Sequence, residues 1–169
     1  MSVIYNNVAL IGLGLIASSM ALAMKRGGLA GTITGYARSQ ETRDIARELD
    51  LCEVCESAAE AVQGADLVVL CVPVGAMAAV MADIGPLLKP GATLSDVGSV
   101  KKAVIEAVTP FVPEGVHFVP AHPLAGTEHS GPRAGFATLF DNRLSLIHIR
   151  RCRRSLCVSL DGALLFNTK

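Results

Sequence analysis

The sequence predicts an α/β protein with a doubly wound parallel sheet, and two observations favour this class. Short apolar stretches alternate with helical patterns along the chain, which is typical of βαβ units. The run LVVLCV at residues 67–72 is apolar throughout, as expected of a central strand that helices cover on both faces. A chain of 169 residues is long enough for one such domain with a substantial core.

Six strands are predicted, and the apolar pattern places five of them at residues 8–11, 32–36, 67–72, 93–95 and 116–119. Helices are predicted at residues 15–26, 39–49, 75–88 and 99–108, with a short one after Ser57. Gly27 and Gly28 are expected to end the first helix, as glycines do at helix C-termini. The spacing of Ser57 and Glu60 is that of a capping box.

The composition indicates a globular protein that does not span a membrane. Hydrophobic residues make up 51% of the chain and charged residues 18%, which is outside the range of disordered chains. No apolar run reaches the roughly 18 residues that a membrane span needs, and no basic segment precedes an apolar one as in a secretory signal. The cysteines number five, and an odd count in such a chain favours free thiols. We therefore expect a cytoplasmic protein that binds neither membrane nor nucleic acid.

A glycine-rich turn follows the first strand in VALIGLGLIASSMALAMKR. Gly12 permits a tight turn, Gly14 lets a pyrophosphate approach the backbone, and Ala17 lets the helix pack closely on the strand. Such a motif between a strand and a helix predicts a dinucleotide site, and a turn with no ligand is the alternative. The residues predicted to contact the cofactor here are Gly12, Leu13, Gly14, Leu15, Ile16 and Ala17.

The end of the second strand bears on the choice between NAD and NADP. An NAD site typically has an acidic residue here, which binds the ribose 2′-hydroxyl. In GYARS, Ala37 takes that position and is followed by Arg38 and Ser39, which are suited to a 2′-phosphate. The sequence therefore favours NADP, although Arg38 as a solvated arginine and NAD held by backbone groups stay open. Val72 and Pro73, after the central strand, are also predicted to contact the cofactor.

The stretch AHPLAGTEHSG at residues 121–131 is the densest group of proton-exchanging side chains in the chain. It begins where the sixth strand ends, and DVGSVK begins where the fifth ends. Ligands bind at the carboxyl edge of doubly wound sheets, so both motifs are predicted to border one site. A polar turn without chemistry is the alternative.

These motifs, with IGLGLIASS, ADLVVLCVPVGAM, LKPGATLSDVGSVK and FVPAHPLAGTEHSGPRAGFATLF, resemble the prephenate/arogenate (cyclohexadienyl) dehydrogenases over residues 8–143. The resemblance implies a Rossmann-type NAD(P)-binding domain whose C-terminal helical domain is missing from this chain. It implies oxidative decarboxylation of prephenate or arogenate in tyrosine biosynthesis, with NAD or NADP as hydride acceptor. The full-length form is expected to be a homodimer.

The resemblance also implies roles for four residues. His122 matches the catalytic histidine, which as a neutral imidazole can accept the proton of the substrate C4 hydroxyl. Ser99 is expected to hydrogen-bond that hydroxyl or orient the imidazole, Lys101 to offer positive charge to substrate or cofactor, and Glu128 to help close the substrate pocket. Each has a structural alternative: a structural histidine, a helix N-cap for Ser99, Lys102 in place of Lys101, and a solvated loop carboxylate.

Cys52 and Cys55 form a CxxC spacing. A second suitable pair for zinc is lacking in the sequence, so we expect neither a metal nor a redox site.

The final 26 residues differ from the rest. Residues 1–143 contain 10 Lys/Arg and 14 Asp/Glu, while residues 144–169 contain 5 and 1. LSLIHIRRCRR resembles translated sequencing-adapter DNA, so 144–169 is predicted to be a non-native tail after a domain at 1–143. A basic nucleic-acid or membrane patch at Arg150, Arg151, Arg153 and Arg154 is the alternative.

Two other functions stay open. A hydroxyacid-type NAD(P) dehydrogenase would need a catalytic lysine on a later helical domain and leaves HPLAGTEHSG unexplained. A non-catalytic nucleotide-binding module would bind the dinucleotide without hydride transfer.

Overall fold

The structure, a computed structural model, describes the backbone of residues 3–147 and 156–159 and the side chains of residues 3–143. Its main sheet is parallel, with the strand order β3-β2-β1-β4-β5-β6. The strands are β1 (Tyr5–Ile11), β2 (Ala30–Tyr36), β3 (Glu53–Val54), β4 (Leu67–Leu70), β5 (Thr93–Asp96) and β6 (His117–Val119). This order confirms the predicted doubly wound α/β class. The strands are added outward from β1 to β3 on one side and from β4 to β6 on the other, so the order of addition reverses between β1 and β4.

The helices follow the strands as predicted, with shifted ends. They are α1 (Leu15–Gly27), α2 (Gln40–Glu48), α3 (Ala58–Ala61), α4 (Val74–Ile84) and α5 (Lys101–Val108). The predicted end of α4 at residue 88 is wrong, because Gly85–Leu87 turns as a 3-10 helix instead. The predicted start of α5 at Ser99 is also wrong, since Val100 is the N-cap.

The sheet separates two apolar cores because successive side chains of a strand point to opposite faces. All four residues of β4 are buried, which confirms the prediction of a central strand. One core is covered by α3, α4 and α5 and the other by α1 and α2. The strand residues of the first are Ala9, Ile11, Val68, Leu70 and Leu94, and those of the second are Val8, Leu10, Ile33, Leu67 and Val69.

Two predicted helix-end features are confirmed. Gly28 ends α1 in the left-handed conformation, with φ of 59°, and its N–H bonds to carbonyls of the last turn. The Ser57 hydroxyl accepts from the Glu60 N–H at 3.1 Å, and the Glu60 carboxylate accepts from the Glu56 N–H at 2.9 Å. Both ends therefore use local polar groups to satisfy free backbone donors and acceptors.

After β6 the chain forms β7 (Ala121–Pro123), which pairs antiparallel with β8 (Leu144–Ile147). Between them, residues 131–141 return to the helices on the α1 side of the sheet. Arg133 binds Glu48 of α2 at 2.5 and 3.1 Å, and Arg26 of α1 binds Asp141 at 2.5 and 3.1 Å. These two ion pairs therefore fix the C-terminal part of the connection between β7 and β8 against α1 and α2.

The boundary predicted at residue 143 stays a prediction. β8 pairs with β7 and with β9 (Leu156–Ser159), and the arginines at 150, 151, 153 and 154 lie outside the described residues. Among the residues that the structure describes, no helix has the length and apolarity needed to cross a bilayer.

The amino-terminal edge of the sheet is held by Asp66, which precedes β4. Its Oδ2 accepts from the Asn7 N–H at 2.8 Å, and its Oδ1 accepts from Lys89 Nζ at 2.6 Å. Lys89 also donates to the Gly64 carbonyl at 2.9 Å. The hydrogen bond from Lys89, followed by that from Asn7, lowers the pKa of the Asp66 carboxyl.

Asp66→Asn should lower the free energy of unfolding at pH 7 by about 1–3 kcal/mol, the value of charge-assisted hydrogen bonds. Because the folded pKa lies below the ordinary 3.8, the ionised carboxylate contributes above that value, and its contribution is lost as pH falls through the folded pKa. Urea denaturation should therefore show the difference shrinking towards pH 2. Asp83→Asn, at an exposed position of α4, is the control, and an undiminished difference at pH 2 would contradict the assignment.

Candidate active site

Gly12 brings the end of β1 against the end of β4. Its φ is 99°, and a Cβ at this position would lie 2.8 Å from both the carbonyl carbon and the oxygen of Cys71. Its N–H also donates to the Tyr36 carbonyl of β2 at 2.8 Å. Only glycine fits a positive φ with backbone at that distance, so the turn joins three neighbouring strands at the carboxyl edge.

Gly14 leaves open space at the start of α1. It is the N-cap residue, with no side-chain cap on the helix, and no atom lies within 4 Å of where its Cβ would be. The first N–H groups of a helix lack partners within the helix and, with the helix dipole, favour an anion. The turn therefore presents the open, donor-rich cradle that a pyrophosphate requires.

The other residues predicted to contact the cofactor differ in how far their side chains are buried. Leu13 and Ala17 are buried in the core beneath α1 and α2, so backbone and close packing are what they can contribute to a cofactor site. Leu15 and Ile16 are half-buried in the first turn of α1. Val72 lies beside the turn, 3.0 Å from the position of a Gly12 Cβ. Pro73 is exposed at the start of α4.

The loop after β2 exposes Arg38 and Ser39 and buries Ala37. The Ser39 hydroxyl accepts from the Thr42 N–H at 3.4 Å and so caps α2. The sequence interpretation overlooked this structural role for Ser39. Arg43, one turn into α2, donates to the carbonyls of Ala37 and Arg38 at 2.7 and 3.2 Å.

A buried ion pair lies where β5 ends. The Asp96 side chain has no exposed surface and its carboxylate contacts the ammonium of Lys101, which is 18% exposed. Asp96 also accepts from the N–H groups of Gly98 at 2.7 Å and Ala121 at 3.2 Å. Lys101 donates to the Ala121 carbonyl at 2.5 Å. The pair thereby binds both backbone polar groups of the residue before His122.

Burial opposes charge on both members of this pair. It raises the pKa of the Asp96 carboxyl, against the lowering effect of Lys101, and it lowers the pKa of Lys101, against the raising effect of Asp96. Both carboxylate oxygens and the ammonium have partners, and these contacts offset part of the cost of burial for each member. Sequence reasoning missed a role for Asp96; its signal was an acidic residue at the carboxyl end of a strand.

His122 is half-buried in β7. Ser99 is exposed just before α5, so its predicted contact with the substrate hydroxyl stays a prediction, and the alternative that it caps α5 is excluded by Val100. Glu128 and His129 have side chains 84% and 75% exposed, with Oε1 and Nε2 3.5 Å apart. Glu128 thus lies on the open loop, and its role in closing a pocket is untested.

Contacts across the carboxyl edge connect the glycine turn with His122. Gly12 lies against Cys71 after β4. The Leu70 carbonyl accepts from the Val97 N–H at 3.2 Å, and Asp96, next to Val97, accepts from Ala121. The glycine turn and the segment that contains His122 therefore border the same edge, on which dinucleotides bind in this topology.

The CxxC spacing does not form a site. Cys52 packs into the α1 side core and Cys55 into the opposite one, so the two thiols face away from each other across the sheet. Burial raises the pKa of Cys52 to about 12. Within residues 3–143, whose side chains are described, no group of three or more His, Cys, Asp or Glu side chains has the arrangement of a metal site.

Fold and edge geometry define a dinucleotide-binding domain of the Rossmann type. A sequence profile described as "Prephenate dehydrogenase, nucleotide-binding domain" matches residues 20–147. Cyclohexadienyl dehydrogenase of Zymomonas mobilis is 46% identical over 140 residues, which cover 82% of this chain and 47% of that protein. Prephenate dehydrogenase of Lactococcus lactis is 33% identical over 137 residues, or 80% and 38% of the two chains. The chain belongs to the prephenate dehydrogenase family.

Solved structures agree in fold. Prephenate dehydrogenase from A. aeolicus, in complex with hydroxyphenyl propionate and NAD+, has a TM-score of 0.78 at 27% identity, covering 89% of this chain and 52% of that one. Synechocystis arogenate dehydrogenase has a TM-score of 0.74 at 30% identity, covering 83% and 49%. The chain thus spans half or less of the length of the curated relatives it matches.

Gly12→Ala and Gly14→Ala form a matched pair. Gly12→Ala should lower the free energy of unfolding by about 2–4 kcal/mol, because its methyl group meets the Cys71 backbone at a positive φ. Gly14→Ala should change stability by less than about 0.5 kcal/mol, yet weaken dinucleotide binding because its methyl group enters the open cradle. Thermal unfolding and calorimetric titration measure the two effects. Unchanged dinucleotide affinity in Gly14→Ala would contradict the placement of the cradle.

Lys101→Met should cost about 3 kcal/mol of unfolding free energy at pH 7, because it leaves a buried carboxylate without its cation. The pKa of Asp96, already raised, rises further in this variant. A raised folded pKa favours folding at low pH and loses that contribution as pH rises, so the deficit should shrink towards pH 4. Urea denaturation at several pH values measures this deficit.

Lys102→Met, at a side chain 87% exposed, is the control. The double variant Asp96→Asn/Lys101→Met should be more stable than the sum of the two single changes indicates. A pH-independent deficit would contradict the assignment.

Proposed function

We propose that this chain provides the nucleotide-binding half of a dehydrogenase that oxidatively decarboxylates prephenate or arogenate in tyrosine biosynthesis. One observation carries the proposal: the Gly12–Gly14 turn and His122 border the same carboxyl edge, linked through Cys71, Val97 and Asp96. Membership of the prephenate dehydrogenase family supports the choice of substrate class.

The cofactor of this reaction is NAD or NADP, which accepts the hydride when bound. The residues present fit such a group, since Gly14 leaves its side-chain direction open and the first turn of α1 has no side-chain cap. We propose NADP as the preferred form, with Arg38 as the partner of the 2′-phosphate, because Arg38 is exposed at the ribose position and a carboxylate is absent from residues 37–39.

His122 accepts the proton of the substrate C4 hydroxyl while the hydride leaves C4, so a ketone forms there. The bond from the ring to its carboxylate then breaks, carbon dioxide leaves, and the electron pair of that bond enters the ring. The C4 oxygen takes back a proton and becomes a phenol. Lys101 and Asp96 hold the backbone on the amino-terminal side of His122, and Ser99 and Glu128 border the substrate.

The proposal includes a homodimeric full-length enzyme in the cytoplasm, in which a second half covers the substrate. Relatives of about twice this length support the idea of a second half. Prephenate and arogenate stay equal candidates, because relatives named for each are among the matches.

A chimera tests this function. The residues of this chain that match Zymomonas mobilis cyclohexadienyl dehydrogenase replace the corresponding part of that enzyme, and formation of reduced cofactor is followed by absorbance with prephenate and with arogenate. We expect turnover with at least one substrate. Since a neutral imidazole is the base, kcat/KM should rise with pH through one ionisation and then level off.

His122→Asn in the chimera should reduce kcat by about 10²–10⁴, because the amide cannot accept the proton. Dinucleotide affinity should stay within a few-fold, since the cradle lies on β1. His129→Asn, at a 75% exposed side chain, is the matched control and should retain activity. A His122→Asn chimera as active as its parent would show that residues 121–131 are a polar turn without a catalytic base.

A further inference from the structure

Arg43 has an unusual position for an arginine on an otherwise charged surface helix. Its side chain is only 11% exposed, although α2 is strongly polar. The guanidinium lies 5.6 Å from the centre of the Tyr36 ring, which is within the range of a cation–π contact. Tyr36 is the last residue of β2, so Arg43 packs against the end of the strand that leads to the ribose position.

The donors of Arg43 are directed at the loop between β2 and α2. Nη1 donates to the carbonyl oxygens of Ala37 at 2.7 Å and Arg38 at 3.2 Å. Nη2 donates to the Gln40 side chain and lies 3.6 Å from Glu56. One planar group thus binds two successive carbonyls of the loop and also contacts Gln40 at the start of α2 and Glu56 after β3, an arrangement that the rigid fork of arginine permits and a lysine ammonium does not reproduce.

Two further features distinguish Arg43: an unpaired donor and a difference from the next arginine of α2. Arg43 Nε is buried with no hydrogen-bond partner among the described residues, and an unpaired buried donor is costly. Arg47, one turn along, also binds Glu56 and Asp44, but its side chain is 38% exposed and makes no contact with the loop carbonyls. Arg43 is therefore buried specifically beneath the loop that presents Arg38.

We infer that Arg43 is a positioning residue for recognition of a ribose 2′-phosphate: by binding the carbonyls of Ala37 and Arg38 it holds the loop in the conformation in which Arg38 meets the phosphate. Its Nη1 and Nη2 groups contact the loop, Gln40 and Glu56, and its unpaired Nε is buried, so it acts through Arg38 rather than by direct contact. Asp44, the residue after Arg43 in α2, is bound by Gln40 and Arg47. The inference rests on the proposed use of NADP.

The test uses the whole chain and two adenosine fragments, 2′,5′-ADP and 5′-AMP, which share the nucleoside 5′-phosphate and differ by the 2′-phosphate. Affinities are measured by calorimetry for the parent, Arg43→Met, Arg43→Lys and the control Arg47→Met. We expect Arg43→Met to weaken 2′,5′-ADP binding by about tenfold, the order of one charge-assisted contact, and 5′-AMP binding by less than about threefold. Arg47→Met should change neither.

Action through Arg38 is tested by a double-mutant cycle. If Arg43 positions Arg38, then Arg43→Met should have little further effect on 2′,5′-ADP affinity in an Arg38→Met background, because the group it positions is gone. Additive losses would overturn the positioning role. Equal losses for both fragments would also overturn it, since they indicate general damage to the adenosine site.

Stability and function are separated in the same series. Thermal unfolding shows whether Arg43→Met is folded. If it is not, the positioning role is tested with Arg43→Lys instead. A loss of affinity specific to 2′,5′-ADP is then the expected result, and unchanged affinity would contradict the inference. A parent that prefers 5′-AMP overturns the inference while hydride transfer to NAD in the chimera still stands. Failure of the parent to bind either fragment or any dinucleotide would count against the proposed function itself.

Discussion

The Asp96 carboxylate is fully buried at the end of β5, where it contacts the Lys101 ammonium and accepts hydrogen bonds from two backbone N–H groups. An ion in such a place requires every one of these donors, because an uncompensated buried charge is among the most costly features a fold can contain. The donors come from the loop after β5, from α5 and from the chain after β6. Satisfying one side chain therefore fixes three segments, and the imidazole of His122 is attached to the third.

The cofactor side of the edge depends on a steric constraint rather than an ionic one. Gly12 lets the turn after β1 pass within van der Waals distance of the chain leaving β4, and β4 is the strand beside β5. The buried contacts thus set the position of this edge, where Gly14 leaves its side-chain direction open and His122 is half-buried. Because some predicted site residues make the buried contacts and others lie beside them, the predicted site residues differ widely in exposure.

Local patterns in the sequence predicted what local physics controls. The glycine turn, the central strand, the Gly28 end of α1 and the Ser57 cap each depend on residues a few positions apart. Each is present in the structure, and the strand ends at Leu70, two residues before its predicted end. The predicted C-terminal end of α4 was wrong by four residues and the predicted start of α5 by two, because a 3-10 turn and a non-polar N-cap compete with the usual signals. Ser39 was read for its hydroxyl as a ligand, whereas the same group also caps α2.

The sequence by itself determined the fold class and the glycine turn that follows β1 at the carboxyl edge, because strand–turn–helix order and glycine spacing carry that information directly. Only the tertiary structure decided which groups beyond β6 Lys101 and Asp96 bind. Lys101 contacts a carbonyl 20 residues further along, and Asp96 accepts from an N–H 25 residues away. Such pairs form when strands distant in the chain become neighbours in the sheet, and no periodicity within one segment encodes which side chain will face which.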